Sequence, residues 1–178
     1  MKHILIITLI LGILFGVCGC SNNNDTDTDE IDGGVITDAT DAEAPKTVDS
    51  EEISEFYCNF CYITVVGEEI IPAGFYELSA KLSGENVSCE FDYYGNDEEY
   101  KAFTSDKDFL KKLDAIVKKY NLPSFNGMYY FVSGLGANYG TKLDITYLSG
   151  ESVYAVDNQG NYLPDDAIKE LYELFKNE

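Results

Sequence analysis

Two segments of the chain have hydrophobic residues at helical spacing, and we predict an amphipathic helix for each. In the first, over residues 105–121, Ser105 can cap the N-terminus, and the apolar face consists of Phe109, Leu110, Leu113, Ile116, Val117 and Tyr120. In the second, which begins at Pro164, the apolar face consists of Ile168, Leu171, Leu174 and Phe175. Each helix therefore has one stripe that must be buried against another element.

Alternating apolar and polar residues predict β-strands elsewhere. The first strand is predicted over residues 53–66, which are rich in aromatic and β-branched side chains. A two-residue turn at Gly84-Glu85 then predicts a hairpin. Its buried face would pair Leu82 with Val87, Ala80 with Cys89, Leu78 with Phe91 and Tyr76 with Tyr93. Its other face would point to water and pair Glu77 with Asp92, Ser79 with Glu90 and Lys81 with Ser88.

A second hairpin is predicted around Ser149-Gly150, after a short strand over residues 128–133. Its register would pair Leu143 with Val156, Ile145 with Tyr154 and Tyr147 with Ser152, with Asp144 and Thr146 on the opposite face. The order of elements is three strands, a helix, two or three strands and a helix. We therefore predict an α+β fold: an antiparallel sheet of five to six strands (a meander plus a hairpin) with two amphipathic helices packed on one face.

The N-terminus has the pattern of a secretory signal. Lys2 and His3 precede an apolar run over residues 4–17, and Gly19 is a small residue directly before Cys20. The run is shorter than the roughly 20 apolar residues that a transmembrane helix needs. We predict a cleaved signal over residues 1–20, and an ordinary secretory signal with two incidental cysteines is the alternative.

The residues Val17-Cys18-Gly19-Cys20 resemble the lipobox of bacterial lipoproteins. This resemblance implies that Cys20 carries a diacylglycerol with fatty acids such as palmitate, and that the protein is anchored to the cell membrane on its extracytoplasmic face. Cys18 does not fit the pattern, because Val17 is too large for the position before the modified cysteine.

A second resemblance covers less than half of the chain. The segment from the first predicted helix to the end includes Phe125-Asn126-Gly127 and the run Leu-Asp-Ile-Thr-Tyr-Leu-Ser-Gly. It is similar to uncharacterised lipoproteins of low-GC Gram-positive bacteria. The similarity implies the same location at the cell surface and implies no activity.

The composition changes after Cys20. Residues 21–52 contain few large apolar residues and many acids, so they cannot bury enough surface to offset the entropy lost on folding. We predict an acidic disordered tether over residues 21–52 and a single α+β domain over residues 53–178.

The negative charge and the scarcity of histidine limit the partners and cofactors that the protein can bind. The chain has 12 basic residues, all of them lysine, against 32 acidic residues, for a net charge of −20. Nucleic acid is excluded as a partner because phosphate binding needs a positively charged surface. Cleavage before Cys20 would also remove His3, the only histidine. Without histidine the mature chain lacks a Ser-His-Asp triad and imidazole metal ligands, so we expect no cofactor and no metal.

Three cysteines lie in the predicted domain. Cys58 and Cys61 have the spacing of a zinc or redox pair, but structural zinc needs four ligands and only Cys89 is left to add. We predict buried free thiols. A disulfide between Cys58 and Cys89 is the alternative, and it would require the first predicted strand to lie against the third.

These observations favour a non-catalytic binding or interaction module whose ligand is a glycan, a peptide or an envelope protein. The predicted ligand or cation surface is the polar face of the sheet, with Glu77, Glu90, Asp92 and Asp144. Glu77 opposite Asp92 is a candidate cation site, and a solvated pair that tolerates its repulsion is the alternative. The alternative function is an acid-pair hydrolase that acts on cell-wall or dietary polysaccharide.

Overall fold

The structure is a computed structural model and describes residues 30–31, 34–63, 70–136 and 139–178. The predicted signal, the proposed lipidation site Cys20 and residues 21–29 of the predicted tether lie outside the described residues. The strands are β1 Glu30–Ile31, β2 Gly34–Asp38, β3 Ile53–Tyr62, β4 Gly74–Ser83, β5 Asn86–Gly95, β6 Glu99–Ser105, β7 Tyr129–Val132, β8 Thr141–Tyr147 and β9 Ser152–Asp157. The helices are α1 Lys107–Lys119 and α2 Asp165–Lys176, and a 3-10 helix spans Leu122–Phe125.

The strands form one mixed sheet, which corrects the predicted antiparallel sheet of five to six strands. Strands β2 to β9 pair in the order β2-β7-β9-β8-β3-β4-β5-β6, and the two-residue β1 pairs with β2 at the edge. Strand β7 runs parallel to β9, whereas the other neighbours are antiparallel. Strand β3 lies between β4 and β8, so it joins the predicted meander and the predicted hairpin into a single sheet.

The sequence pattern does not predict β1, β2 and β6, because all three lie near the edges of the sheet. Residues of β6 alternate between partly buried and exposed, and the strand has no fully buried side chain. Strand β2 likewise has no buried residue. An edge strand is held largely by backbone hydrogen bonds to one neighbour, so it does not require the apolar face that identifies a central strand.

Strand β2 lies inside the predicted tether, and the prediction of disorder is therefore wrong for residues 34–52. After β2, the backbone N–H of Ala39 donates to the carbonyl of Tyr129 at 3.0 Å. The side-chain amide of Asn126 donates to the carbonyl of Pro45 at 2.9 Å. These hydrogen bonds help to offset the conformational entropy that the segment loses on folding, which its few apolar residues cannot offset by themselves.

Both helices pack on the same face of the sheet. The ring of Phe175 on α2 lies 6.1 Å from that of Phe56 on β3 and 5.1 Å from that of Phe109 on α1. The cap of α1 is Asp106, one residue later than the predicted Ser105, and its carboxylate accepts from the N–H of Asp108. No helix among the described residues has the length and apolar character needed to cross a membrane.

The register of the first hairpin is confirmed, and that of the second is wrong by one residue. Strands β4 and β5 pair Leu78 with Phe91 and Glu77 with Asp92, as predicted. Strands β8 and β9 instead pair Leu143 with Ala155 and Asp144 with Tyr154. The turn contains three residues, with Gly150 at φ +89°, rather than the two residues that the prediction assumed.

All three cysteines in the described residues are buried free thiols, as predicted. Strand β3 lies beside β4 and β8 and not beside β5, so Cys58 and Cys89 are on strands that do not pair. Burial raises the pKa of the Cys89 thiol to about 12 and that of the Cys58 thiol further. These two thiols therefore remain protonated at neutral pH and fill space in the core.

Candidate functional site

The four acids predicted to form a ligand surface all lie on the sheet face opposite the helices, which we call the open face. Glu77 on β4 is directly opposite Asp92 on β5, and Glu90 is opposite Ser79 in the next row. Asp144 lies in the same row as Glu90 but three strand spacings away, or about 14 Å. The structure brings Glu77 and Asp92 together and leaves the other two acids apart.

The Glu77–Asp92 pair has one additional partner. The hydroxyl of Tyr94 donates to Asp92 Oδ2 at 2.7 Å, and this hydrogen bond together with the negative charge of Asp92 raises the pKa of Tyr94. Among the described residues there is no group of three or more histidine, cysteine or acidic side chains that could hold a metal ion. Two carboxylates supply fewer oxygen ligands than a calcium ion usually takes.

A groove of about 320 Å³ crosses the open face beside Glu77, over strands β7, β9, β8 and β3. We call it the open-face groove, and its principal lining residues are Tyr57, Asn59, Tyr129, Phe131, Lys142 and Tyr154. Its volume lies at the lower end of the range for small-molecule sites. Of the four predicted acids, only Glu77 lines it.

Lys142 is held between two tyrosine rings in this groove. Its Nζ atom lies 5.1 Å from the ring centroid of Tyr57 and 5.4 Å from that of Tyr154. The same atom is 3.6 Å from Asp144 Oδ2. Cation–π attraction and the ion pair thus link the ammonium group to both rings and to Asp144.

Asn59 presents a buried acceptor to the same groove. Its side chain is 7% exposed, and Oδ1 is a buried oxygen without a hydrogen-bond partner among the described residues. In the cross-strand row Asn59 lies between Lys142 on β8 and Glu77 on β4. A buried acceptor without a partner costs stability, and a ligand hydroxyl group is one way to satisfy it. The other such oxygen among the described residues, Asp114 Oδ1, lies on α1 and not in the groove.

Aromatic rings form the walls of the groove. Tyr129 and Phe131 stack on β7 with ring centroids 6.4 Å apart. Burial and the nearby charge of Glu77 raise the pKa of Tyr57 to about 12. The phenol of Tyr57 is therefore protonated at neutral pH and can donate a hydrogen bond.

A second cavity, of about 300 Å³, lies between α2 and the end of the β4–β5 hairpin. Several of its polar side chains are already paired: Tyr93 donates to the carbonyl of Ala73 at 3.0 Å, and Lys176 is bonded to Glu99. The open-face groove differs because it contains the unpartnered oxygen of Asn59. It is therefore the better candidate for a ligand site.

Sequence patterns missed most of this groove. The register predicted for the second hairpin placed Tyr154 on the buried face, whereas its side chain is 41% exposed on the open face. Asn59 could have been singled out from the sequence, because asparagine is disfavoured in the middle of a strand. A polar residue at such a position indicates a role other than packing.

No protein-family model, curated protein or solved structure matches the chain.

Proposed function

We propose that this protein is a non-catalytic binding module, displayed outside the cell on a lipid anchor at Cys20, and that its ligand binds in the open-face groove. The observation that carries the proposal is the groove itself, where a cation, partly exposed aromatic rings and an acceptor without a partner among the described residues meet on the open face. Apolar walls with a few fixed polar groups are the usual composition of a ligand site.

The location rests on the N-terminal sequence. The Val-Cys-Gly-Cys pattern supports lipid attachment at Cys20, and the acidic residues that follow would keep the folded domain away from an anionic membrane surface. The residues between Cys20 and β1 would serve as a short spacer. Display of one small domain on such a spacer suits a protein that binds a partner or ligand outside the cell.

A retention assay tests the proposal against the hydrolase alternative. The full-length protein in detergent micelles is incubated with immobilised glycans, cell-wall fragments and peptides, and both retention and released product are measured. Retention without product release is the expected result. Product release that is abolished by one carboxylate substitution, such as Glu77→Gln or Asp92→Asn, would contradict the proposal and support an acid-pair hydrolase. Neither retention nor release would also contradict it.

A further inference from the structure

The charges in the open-face groove limit the kinds of ligand that can bind there. Lys142 is the one cation among the described lining residues, and its charge is already balanced by Asp144 at 3.6 Å. Glu77 and Asp157 also line the groove, and the whole chain has a net charge of −20. An anionic ligand would therefore meet repulsion that no free cation of the groove offsets.

A cationic ligand is disfavoured for a different reason. Aromatic rings bind cations through their faces. In this groove Lys142 lies within cation–π distance of both Tyr57 and Tyr154. Glu77 and Asp157 would attract an external ammonium group, but that group would have to displace Lys142 from the rings or accept repulsion from it. A ligand without net charge therefore fits the groove best.

The open face also disfavours an extended peptide. Peptides that bind a sheet usually pair their main chain with an exposed edge strand. The strands beneath the groove are interior: β9 lies between β7 and β8, and β3 lies between β8 and β4. Their backbone groups are used within the sheet, so the groove offers side chains only.

We propose that the open-face groove binds a neutral saccharide, an inference that rests on the proposed function. Sugars combine weakly polar C–H faces with hydroxyl groups around the ring. The C–H faces would stack on the partly exposed rings of Tyr129 and Phe131 and on the exposed ring of Tyr154, which line the groove. A sugar hydroxyl would donate to Asn59 Oδ1 once the amide turns toward the groove, because this oxygen is buried and lacks a partner among the described residues. The aromatic contacts thus come from β7 and β9 and the polar contact from β3, with β8 between β9 and β3 on the same face.

The size of the groove fits a short stretch of a glycan. A volume of about 320 Å³ lies near the lower limit for small-molecule sites, which corresponds to one or two sugar rings. Neither helix lies over the open face, so a longer glycan could continue along it beyond the groove. Lys142 and Glu77, on either side of Asn59 in the cross-strand row, supply a donor and an acceptor for further hydroxyl groups.

Binding of matched probes tests this inference. The full-length protein in detergent micelles is titrated with neutral tetrasaccharides of glucan, chitin and mannan, with heparin tetrasaccharide as the anionic probe, and with an uncharged tetrapeptide. We expect saturable binding of at least one neutral tetrasaccharide and none of heparin. Asn59→Leu should weaken that binding about tenfold, the effect of one lost hydrogen bond in a desolvated site. The control Ser88→Ala, at an exposed position on the same face, should bind as the wild type does.

The outcomes separate this inference from the proposed function. If the protein binds the peptide and no neutral sugar, and the peptide binding is lost in Asn59→Leu, that result would overturn the saccharide inference and leave the groove as a ligand site. Preference for heparin would overturn the charge argument. Binding of no probe, or binding of sugar that Asn59→Leu leaves unchanged, would contradict both the saccharide inference and the role of the groove.

Discussion

Lys142 on β8 lies directly opposite Asn59 on β3, so a charged side chain and a buried oxygen without a hydrogen-bond partner among the described residues form one cross-strand pair. A pair of this kind lowers the stability of the folded state. Asparagine is disfavoured in strands, and its unpartnered oxygen has lost its hydration on burial. The proposed ligand site would account for an asparagine at this position at the expense of stability.

Asn59→Leu should leave the melting temperature unchanged or raise it. The substitution removes the buried unpartnered oxygen and places an apolar residue of similar shape in a central strand. A gain of about 1 kcal/mol corresponds to roughly 2–4 °C for a chain of this size. Differential scanning calorimetry measures the shift.

Asn126→Leu is the matched control for this experiment. Asn126 is also buried, but its oxygen accepts from the N–H of Tyr154 at 2.8 Å and its amide donates to Pro45. Removing these two bonds should lower the melting temperature. An equal loss in both variants would show that Asn59 is an ordinary structural residue.

The N-terminal boundary of the folded unit can be measured by truncation. A chain that begins at residue 50 lacks β2 and loses the bonds from Ala39 to Tyr129 and from Asn126 to Pro45. We expect its melting temperature to be at least about 4 °C below that of a chain that begins at residue 34. Equal melting temperatures would show that β2 contributes no stability.

These differences between sequence and structure have identifiable causes. The first hairpin was predictable because Gly84-Glu85 fixes a two-residue turn, and the alternation of Leu78, Ala80 and Leu82 then defines the buried face. The second hairpin was not, because a three-residue loop that ends at Gly150 shifts every pair by one position. A shift of one residue exchanges the two faces of a strand.

The groove was less predictable than the fold. Its walls come from β7, β9, β8 and β3, and only the β8–β9 neighbours are consecutive along the chain. Hydrophobic periodicity identifies the faces of a strand but not which distant strand lies beside it. The alternation could therefore place Glu77 and Asp144 on the open face, but it could not place Lys142 next to Asn59.

Stability should depend on pH through Glu151. Its carboxylate accepts from the backbone N–H groups of Asp49 and Ser50 and from the hydroxyl of Ser149, and these bonds lower its pKa below the usual 4.5. A carboxyl whose pKa is lower in the folded state stabilises the fold above its unfolded pKa. That stability is lost as the pH falls through the lowered value.

Glu151→Gln should therefore melt below the wild type at pH 7, and the difference should shrink as the pH falls below about 4. Melting curves between pH 7 and pH 2.5 measure this difference. The control is Glu173→Gln, at an exposed position on α2. A difference that persists unchanged at pH 2.5 would show that the charge of Glu151 is not the cause.

Lipid attachment should depend on Cys20 and not on Cys18. Only Cys20 follows a small residue, Gly19, as the lipobox pattern requires. Metabolic labelling with a clickable fatty acid should mark the wild type and Cys18→Ala, and it should fail to mark Cys20→Ala. Equal labelling of the two variants would contradict the proposed anchor.

A pair of tyrosine variants tests the central claim, that the open-face groove is the ligand site. Tyr154→Ala removes a ring that lines the groove and contacts Lys142, whereas Tyr100→Ala removes an exposed ring from β6, at the far edge of the same face. The measurement is the dissociation constant of each full-length variant for the best-retained probe of the retention assay. We predict that Tyr154→Ala weakens binding about tenfold or more and that Tyr100→Ala binds as the wild type does. Equal affinity of Tyr154→Ala and the wild type would contradict the assignment of the groove.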